Sequence, residues 1–151
     1  MTSLLTPLRW SFVNQGIEFK PADILLVRYG WTEQYFKRNS ASQAELGLRK
    51  VRAHVGLLGC DETLRWLWDH RFAMVGGDTN AFESWPPTRQ SGTSLHEVLL
   101  AGWACPIGEL MDLERLAEEC AKHGKYTFAF SSQPLNVPGG VASPLNAMAI
   151  L

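Results

Sequence analysis

Residues Asp23–Tyr29, DILLVRY, place four consecutive aliphatic side chains between Lys20-Pro21 and Gly30. A run this short, rich in Ile, Leu and Val and closed by turn residues, predicts a buried β-strand. The same signature recurs at Phe72–Val75, FAMV, stopped by Gly76-Gly77. Between them Asp61 opens a helix. Its carboxylate can cap the first turn, Glu62 lies near the positive end of the dipole, and Leu64, Leu67 and Trp68 follow at helical spacing. Leu95–Trp103, LHEVLLAGW, predicts a second helix with Leu95, Val98, Leu99 and Gly102 on one face, ended by Cys105-Pro106. Leu113–His123 predicts a third, with Asp112 as N-cap, an apolar stripe of Leu113, Leu116, Ala117 and Cys120, and Gly124 at the C-terminal cap. Tyr126–Ser131 and Asn146–Leu151 predict strands, joined by an extended path through Pro134, Pro138, Gly139, Gly140 and Pro144. Residues 31–43 predict a short helical turn leading into a loop. Residues 44–60 stay open, because Gly47, Gly56 and Gly59 weigh against a helix. Residues 78–93, with Trp85-Pro86-Pro87, predict a loop long enough to be functional or mobile. Strands alternating with helices predict one α/β domain over residues 1–151, its strands at least partly parallel.

Composition bounds the function. The chain has 151 residues, 46% hydrophobic and 19% charged, enough to bury a core. Fourteen basic residues against fifteen acidic give a net charge of −1, which leaves no electrostatic footprint for nucleic acid or an anionic membrane. No apolar run approaches the roughly 18–20 residues of a membrane span. The start, MTSLLTPLRW, lacks a secretion signal's basic region and apolar length. Cys60, Cys105 and Cys120 are odd in number and form no C-x-x-C. The expectation is a cytoplasmic protein without nucleic-acid or membrane partners.

The sequence has no Walker loop, G-x-G-x-x-G, G-x-S-x-G, H-x-x-x-H or H-x-H. Its four histidines are scattered. His96 and Glu109 stand out, because a helix followed by a tight turn can return residues 13 apart to one locus. Imidazole nitrogen and carboxylate oxygen are good ligands for zinc or manganese. Glu109 also lies between Ile107 and Leu110, an apolar setting in which an ionisable group needs a partner or a raised pKa. The competing reading makes His96 a half-exposed helix residue and Glu109 a backbone cap. Asp78 and Glu83, in GGDTNAFESWPP, can line a pocket or bind a cation, or else form an Asx turn and a solvated side chain. Trp66 and Trp68 fit core or subunit contact, Cys60 and Cys105 fit inert packed thiols, and His70 and His123 fit helix C-termini.

Four segments together are specific: Gln15–Trp31 (QGIEFKPADILLVRYGW), Leu64–Pro87 (LRWLWDHRFAMVGGDTNAFESWPP), Leu95–Leu110 (LHEVLLAGWACPIGEL) and Pro134–Ile150 (PLNVPGGVASPLNAMAI). In content and order they resemble the cyclase family of metal-dependent hydrolases, the kynurenine formamidase and isatin hydrolase group, and most of all its fungal branch. The resemblance implies a swivelling β/β/α-type fold. It also implies hydrolysis of an amide or lactone with a divalent metal, zinc or manganese, which acidifies a bound water and polarises the carbonyl. His96 matches the family's later metal-ligand histidine and Glu109 its carboxylate ligand. Asp78 and Glu83 match a characteristic loop of the fungal branch without an assigned role.

One departure accompanies the resemblance. Family members carry H-x-G-T-H-x-D in their N-terminal half, followed by a catalytic histidine, and nothing in Met1–Trp31 matches that motif. The chain therefore resembles the C-terminal half of a family member, a truncated or split form with two metal ligands and no matched catalytic residue. Exposed apolar surface and association, as a homo-oligomer or otherwise, are expected of such a half. Two functions from different classes follow: a hydrolase of arylformamidase-like lineage, or a non-catalytic remnant or interaction subunit of such an enzyme. A small-ligand binder built on the tryptophan-rich loops is a third, weaker reading.

Overall fold

The computed structural model describes residues 6–87 and 92–151. Residues 88–91 of the expected 78–93 loop lie outside the described residues. Strands β1 (Ile24–Val27), β2 (Met74–Gly77) and β3 (Ile107–Gly108) form a parallel sheet in the order β1-β2-β3. Leu25 and Val27 of β1 and all four residues of β2 are buried, as short aliphatic runs flanked by helices require. The expected FAMV strand sits two residues later. The glycine pair read as its stop lies inside β2, because a Cβ on Gly77 would come within 2.6 Å of the Val27 carbonyl oxygen.

Helices α1 (Thr6–Asn14), α2 (Trp31–Phe36), α3 (Ser40–Leu48), α4 (Asp61–His70) and α5 (Glu114–His123) complete the frame, with a π-helix at Glu97–Gly102. Phe12 of α1 stacks on Trp66 of α4 with ring centroids 5.9 Å apart, and Phe19, His70 and Phe72 extend this aromatic cluster. The loop expected to end residues 31–43 gives way to α3, which runs on into the segment left open at 44–60 and whose first turn is capped by the Asn39 side chain accepting from the Ser42 N–H at 2.9 Å. In α4 the capping position belongs to Cys60 rather than Asp61. Trp66 and Leu67 enter the core, whereas Trp68 is exposed and packs on Trp103. Leu113 takes the capping position of α5 expected for Asp112, whose carboxylate accepts the Glu114 N–H one step in. Gly124, at φ 60°, ends the helix as expected.

The Leu95–Trp103 helix is wound in part with π pitch, the Trp103 N–H reaching the Val98 carbonyl. A π-turn takes more residues per revolution, so Leu95 and Leu99 face the core while Gly102 turns outward, against the expected face. Leu25, Val27, Leu57, Trp66, Leu67, Val75, Phe82, Leu95 and Leu99 form one core cluster. The remaining strands, β4 (Ala129–Ser132) and β5 (Ala147–Ile150), make a separate antiparallel pair, Ala129 opposite Ile150. Among the described residues no helix is long and apolar enough to cross a membrane.

Candidate functional site

Parallel sheets present their functional loops at the carboxyl ends of the strands. Asp78 directly follows β2 and Glu109 directly follows β3, so both leave the sheet at that edge. The two carboxylates then diverge in role. Asp78 is fully buried; its two oxygens accept the Tyr29 N–H at 2.7 Å and the Trp31 N–H at 2.9 Å, while the Thr32 hydroxyl donates to its carbonyl. These bonds fasten the entry of α2 to the end of β2. Asp78 therefore spends both carboxylate oxygens on the backbone of residues 29 and 31 rather than on an Asx turn. The Tyr29 hydroxyl is pushed up by burial and then by the nearby Asp78 charge.

Glu83 is 2% exposed, which corrects the reading of a solvated side chain. The backbone of residues 54–57 lies along residues 82–85. Leu57 N–H donates to Phe82 O at 2.9 Å, Ser84 N–H to Leu57 O at 2.8 Å, and His54 and Trp85 exchange bonds. Gly56 makes this approach possible, since a Cβ there would sit 2.2 Å from the Glu83 carbonyl carbon. Phe82, buried beside it, anchors the loop in the core.

His96 lies in the first turn of the 95–103 helix. Ser94 and Glu97 close that turn reciprocally: the Ser94 N–H and hydroxyl donate to the Glu97 carboxylate, and the Glu97 N–H donates to the Ser94 oxygen. This S-x-x-E capping box was legible in the sequence and is the signal that places His96. Glu83 then grips His96 twice. Its Oε2 accepts the ring Nδ1–H at 2.6 Å and its Oε1 accepts the backbone N–H at 3.3 Å. A carboxylate only accepts, so the proton on this bond belongs to Nδ1.

The other ring nitrogen, Nε2, lies 2.9 Å from Glu109 Oε1. Glu109 is placed by the turn after β3, where Leu110 N–H reaches Thr79 O and Met111 N–H reaches Gly77 O. Leu110 takes a left-handed φ of 52°, a strained conformation for a branched side chain, and its side chain is exposed. The expected apolar setting of Glu109 is thus only half present, with Ile107 partly buried and Leu110 in solvent. The buried Oε1 of Glu109 has no hydrogen-bond partner among the described residues. The close approach to Nε2 is an ion-pair contact without hydrogen-bond alignment. The two carboxylates, Glu109 first and Glu83 second, push the His96 pKa up to about 10 against the opposing effect of burial.

An imidazole nitrogen beside an unsatisfied carboxylate oxygen is a donor pair that suits zinc or manganese. Among the described residues no group of three or more His, Cys, Asp or Glu is arranged to hold a metal ion. His70 bonds the Trp66 carbonyl and His123 faces Glu119 on α5, both away from this pair in role. Burial raises the thiols of Cys105 and Cys120, which keeps both protonated.

No family model and no curated protein matches the chain. A solved structure does: the crystal structure of a novel cyclase, 32% identical, with a TM-score of 0.80 over 97% of this chain and 46% of that chain. The chain thus spans just under half the length of that cyclase. Its α/β fold is a cyclase fold, and the likeness supports a cyclase-like lineage.

Proposed function

From that cyclase-like lineage, we propose that the chain contributes His96 Nε2 and Glu109 to a divalent metal centre. The centre serves hydrolysis, or the reverse cyclisation, of an amide C–N or lactone C–O bond in a small molecule. The observation that carries this reading is the 2.9 Å approach of Nε2 to a buried Glu109 oxygen that has no hydrogen-bond partner. Zinc or manganese bound there would acidify a coordinated water and polarise the substrate carbonyl. The remaining donors come from water or from other polypeptide, since two protein ligands fall short of the usual three. The kynurenine formamidase-like chemistry and the fungal branch rest on the four sequence segments quoted above.

The chain's own residues set the conditions. With His96 raised to about 10, its Nε2 carries a proton at neutral pH. A cation and that proton compete for one lone pair, so binding releases the proton and strengthens as pH rises. Glu109 presents its carboxylate from the end of β3, with Oε1 facing the same Nε2 that a cation would take. Exposed apolar side chains, among them Met148, Ile150 and Val141, offer surface for association with a second chain.

Calorimetric titration with zinc chloride at pH 7 and 8.5 tests this reading. The expected result is one site per chain, tighter at the higher pH, and weakened at least about tenfold by either His96→Ala or Glu109→Gln. Uptake unchanged by both substitutions would remove the pair from metal binding. Release of acid from a simple lactone or an N-formyl aromatic amine by the zinc-loaded chain, abolished by Glu109→Gln, would extend the reading to catalysis.

A further inference from the structure

Glu83 belongs to none of the roles assigned above, yet it is the most deeply buried carboxylate that touches a site residue. Resting on the metal-pair reading, we propose that Glu83 is a positioning residue that fixes both the tautomer and the direction of the His96 ring. Burying a carboxylate is costly unless it is well bonded, and Glu83 is 2% exposed. Both of its oxygens are used on one partner, Oε2 on Nδ1–H and Oε1 on the backbone N–H of His96. A two-point grip on ring and backbone leaves His96 little freedom about its first side-chain torsion. Once Nε2 gives up its proton to a cation, the grip also keeps the remaining proton on Nδ1, whereas free neutral imidazole can carry its proton on either nitrogen. Nε2 is then left as the nitrogen that faces Glu109, 2.9 Å away.

The anchor itself is rigid. Residues 82–85 are bonded to residues 54–57 along both backbones, and the contact at Gly56 is too close for any side chain. Phe82, one residue before Glu83, is fully buried in the core cluster. On the other side Ser94 and Glu97 close the turn that holds His96. A carboxylate that bonds the second nitrogen of a metal-ligating histidine orients the ring and raises its basicity; losing such a partner costs about 10–100-fold in metal affinity. Exposed acidic residues elsewhere, such as Glu97 and Glu119, show no such burial or two-point bonding to an imidazole.

The test uses the whole chain labelled with ¹⁵N-histidine, read by ring-nitrogen NMR and by zinc chloride titration, with the urea midpoint followed in parallel. Glu83→Gln keeps shape and an acceptor oxygen but replaces a charge-assisted bond with a neutral one. It is expected to speed solvent exchange of the His96 Nδ1–H and to weaken zinc binding about tenfold. Glu83→Ala is expected to abolish the protected Nδ1–H and weaken zinc binding up to about a hundredfold. If Glu83→Ala does not fold, Glu83→Gln decides alone. An unchanged Nδ1–H with unchanged zinc affinity in Glu83→Gln, whatever its urea midpoint, overturns the proposal. Wild-type chain that binds no zinc overturns the metal-pair reading instead, and the Nδ1–H signal then decides whether Glu83 holds the ring.

Discussion

At the carboxyl edge of the β1-β2-β3 sheet, Asp78 and Glu83 are buried and each of their oxygens accepts a hydrogen bond. In the β4–β5 hairpin, Met148 and Ile150 face solvent and the pair hydrogen-bonds mainly to itself. Only the first is over-determined. The difference lies in neighbours. The sheet edge is pinned by the 54–57 loop, by α2 and by the 95–103 helix, so the Asp78 and Glu83 carboxylates there have fixed partners. A two-stranded ribbon with one exposed and one part-buried face has less such pinning and little independent stability. Substitutions at the sheet edge should therefore be costly in proportion to the partners they strand, and substitutions in the hairpin nearly silent.

The sharpest way to break the contrast is Gly56→Ala. A Cβ 2.2 Å from the Glu83 carbonyl carbon cannot be accommodated without moving the loop. We expect a loss of about 3 kcal/mol or outright unfolding, read from urea denaturation, together with loss of the Glu83–His96 bond. A wild-type urea midpoint would mean that the 54–57 contact does not hold Glu83. Next comes Asp78→Ala, which strands the Tyr29 and Trp31 N–H groups. At about 1–3 kcal/mol for each unsatisfied buried donor, a loss of about 2–6 kcal/mol is expected by the same measurement.

A smaller effect follows from pH. The folded pKa of His96 is raised to about 10 from an ordinary 6.5, so folding favours its protonated form. Its contribution is fully present below about 6.5 and is lost as pH rises toward 10. The metal-free chain should melt at progressively lower temperature across that window, and His96→Gln should flatten the decline. Parallel slopes in the two proteins would show that the carboxylates do not hold the ring's proton. The smallest effect is expected from Met148→Lys and Ile150→Lys, within about 0.5 kcal/mol of wild type. A larger loss that depends on protein concentration would show that a second chain covers the hairpin.

Much of the frame could be read from residues alone. ILLV at residues 24–27 is a short aliphatic run closed by turn residues, so a strand follows from it directly, although only Leu25 and Val27 are buried and Ile24 is exposed. The amphipathic pattern of Glu114–His123 located α5 within a residue. The convergence of His96 and Glu109 was one of two readings that a helix-then-turn connection left open, and the family resemblance, not the spacing, favoured it. Three features were not legible, each because a distant backbone decides it. Glu83 looks solvated in FESWPP until the 54–57 segment, enabled by Gly56, lies over it. Asp78 looks like a turn residue until two N–H groups some 47–49 positions earlier reach it. The π pitch of Glu97–Gly102, which turns Gly102 outward, leaves no mark in a pattern of Leu and Val.

The account rests on His96 and Glu109 sharing one cation, and anomalous X-ray scattering from zinc-loaded crystals of the chain tests that most directly. It predicts a single strong zinc peak about 2.0–2.2 Å from both His96 Nε2 and a Glu109 oxygen, with Nδ1 still bonded to Glu83. Zinc found elsewhere, or bound by Nε2 with the Glu109 carboxylate turned away, would contradict it.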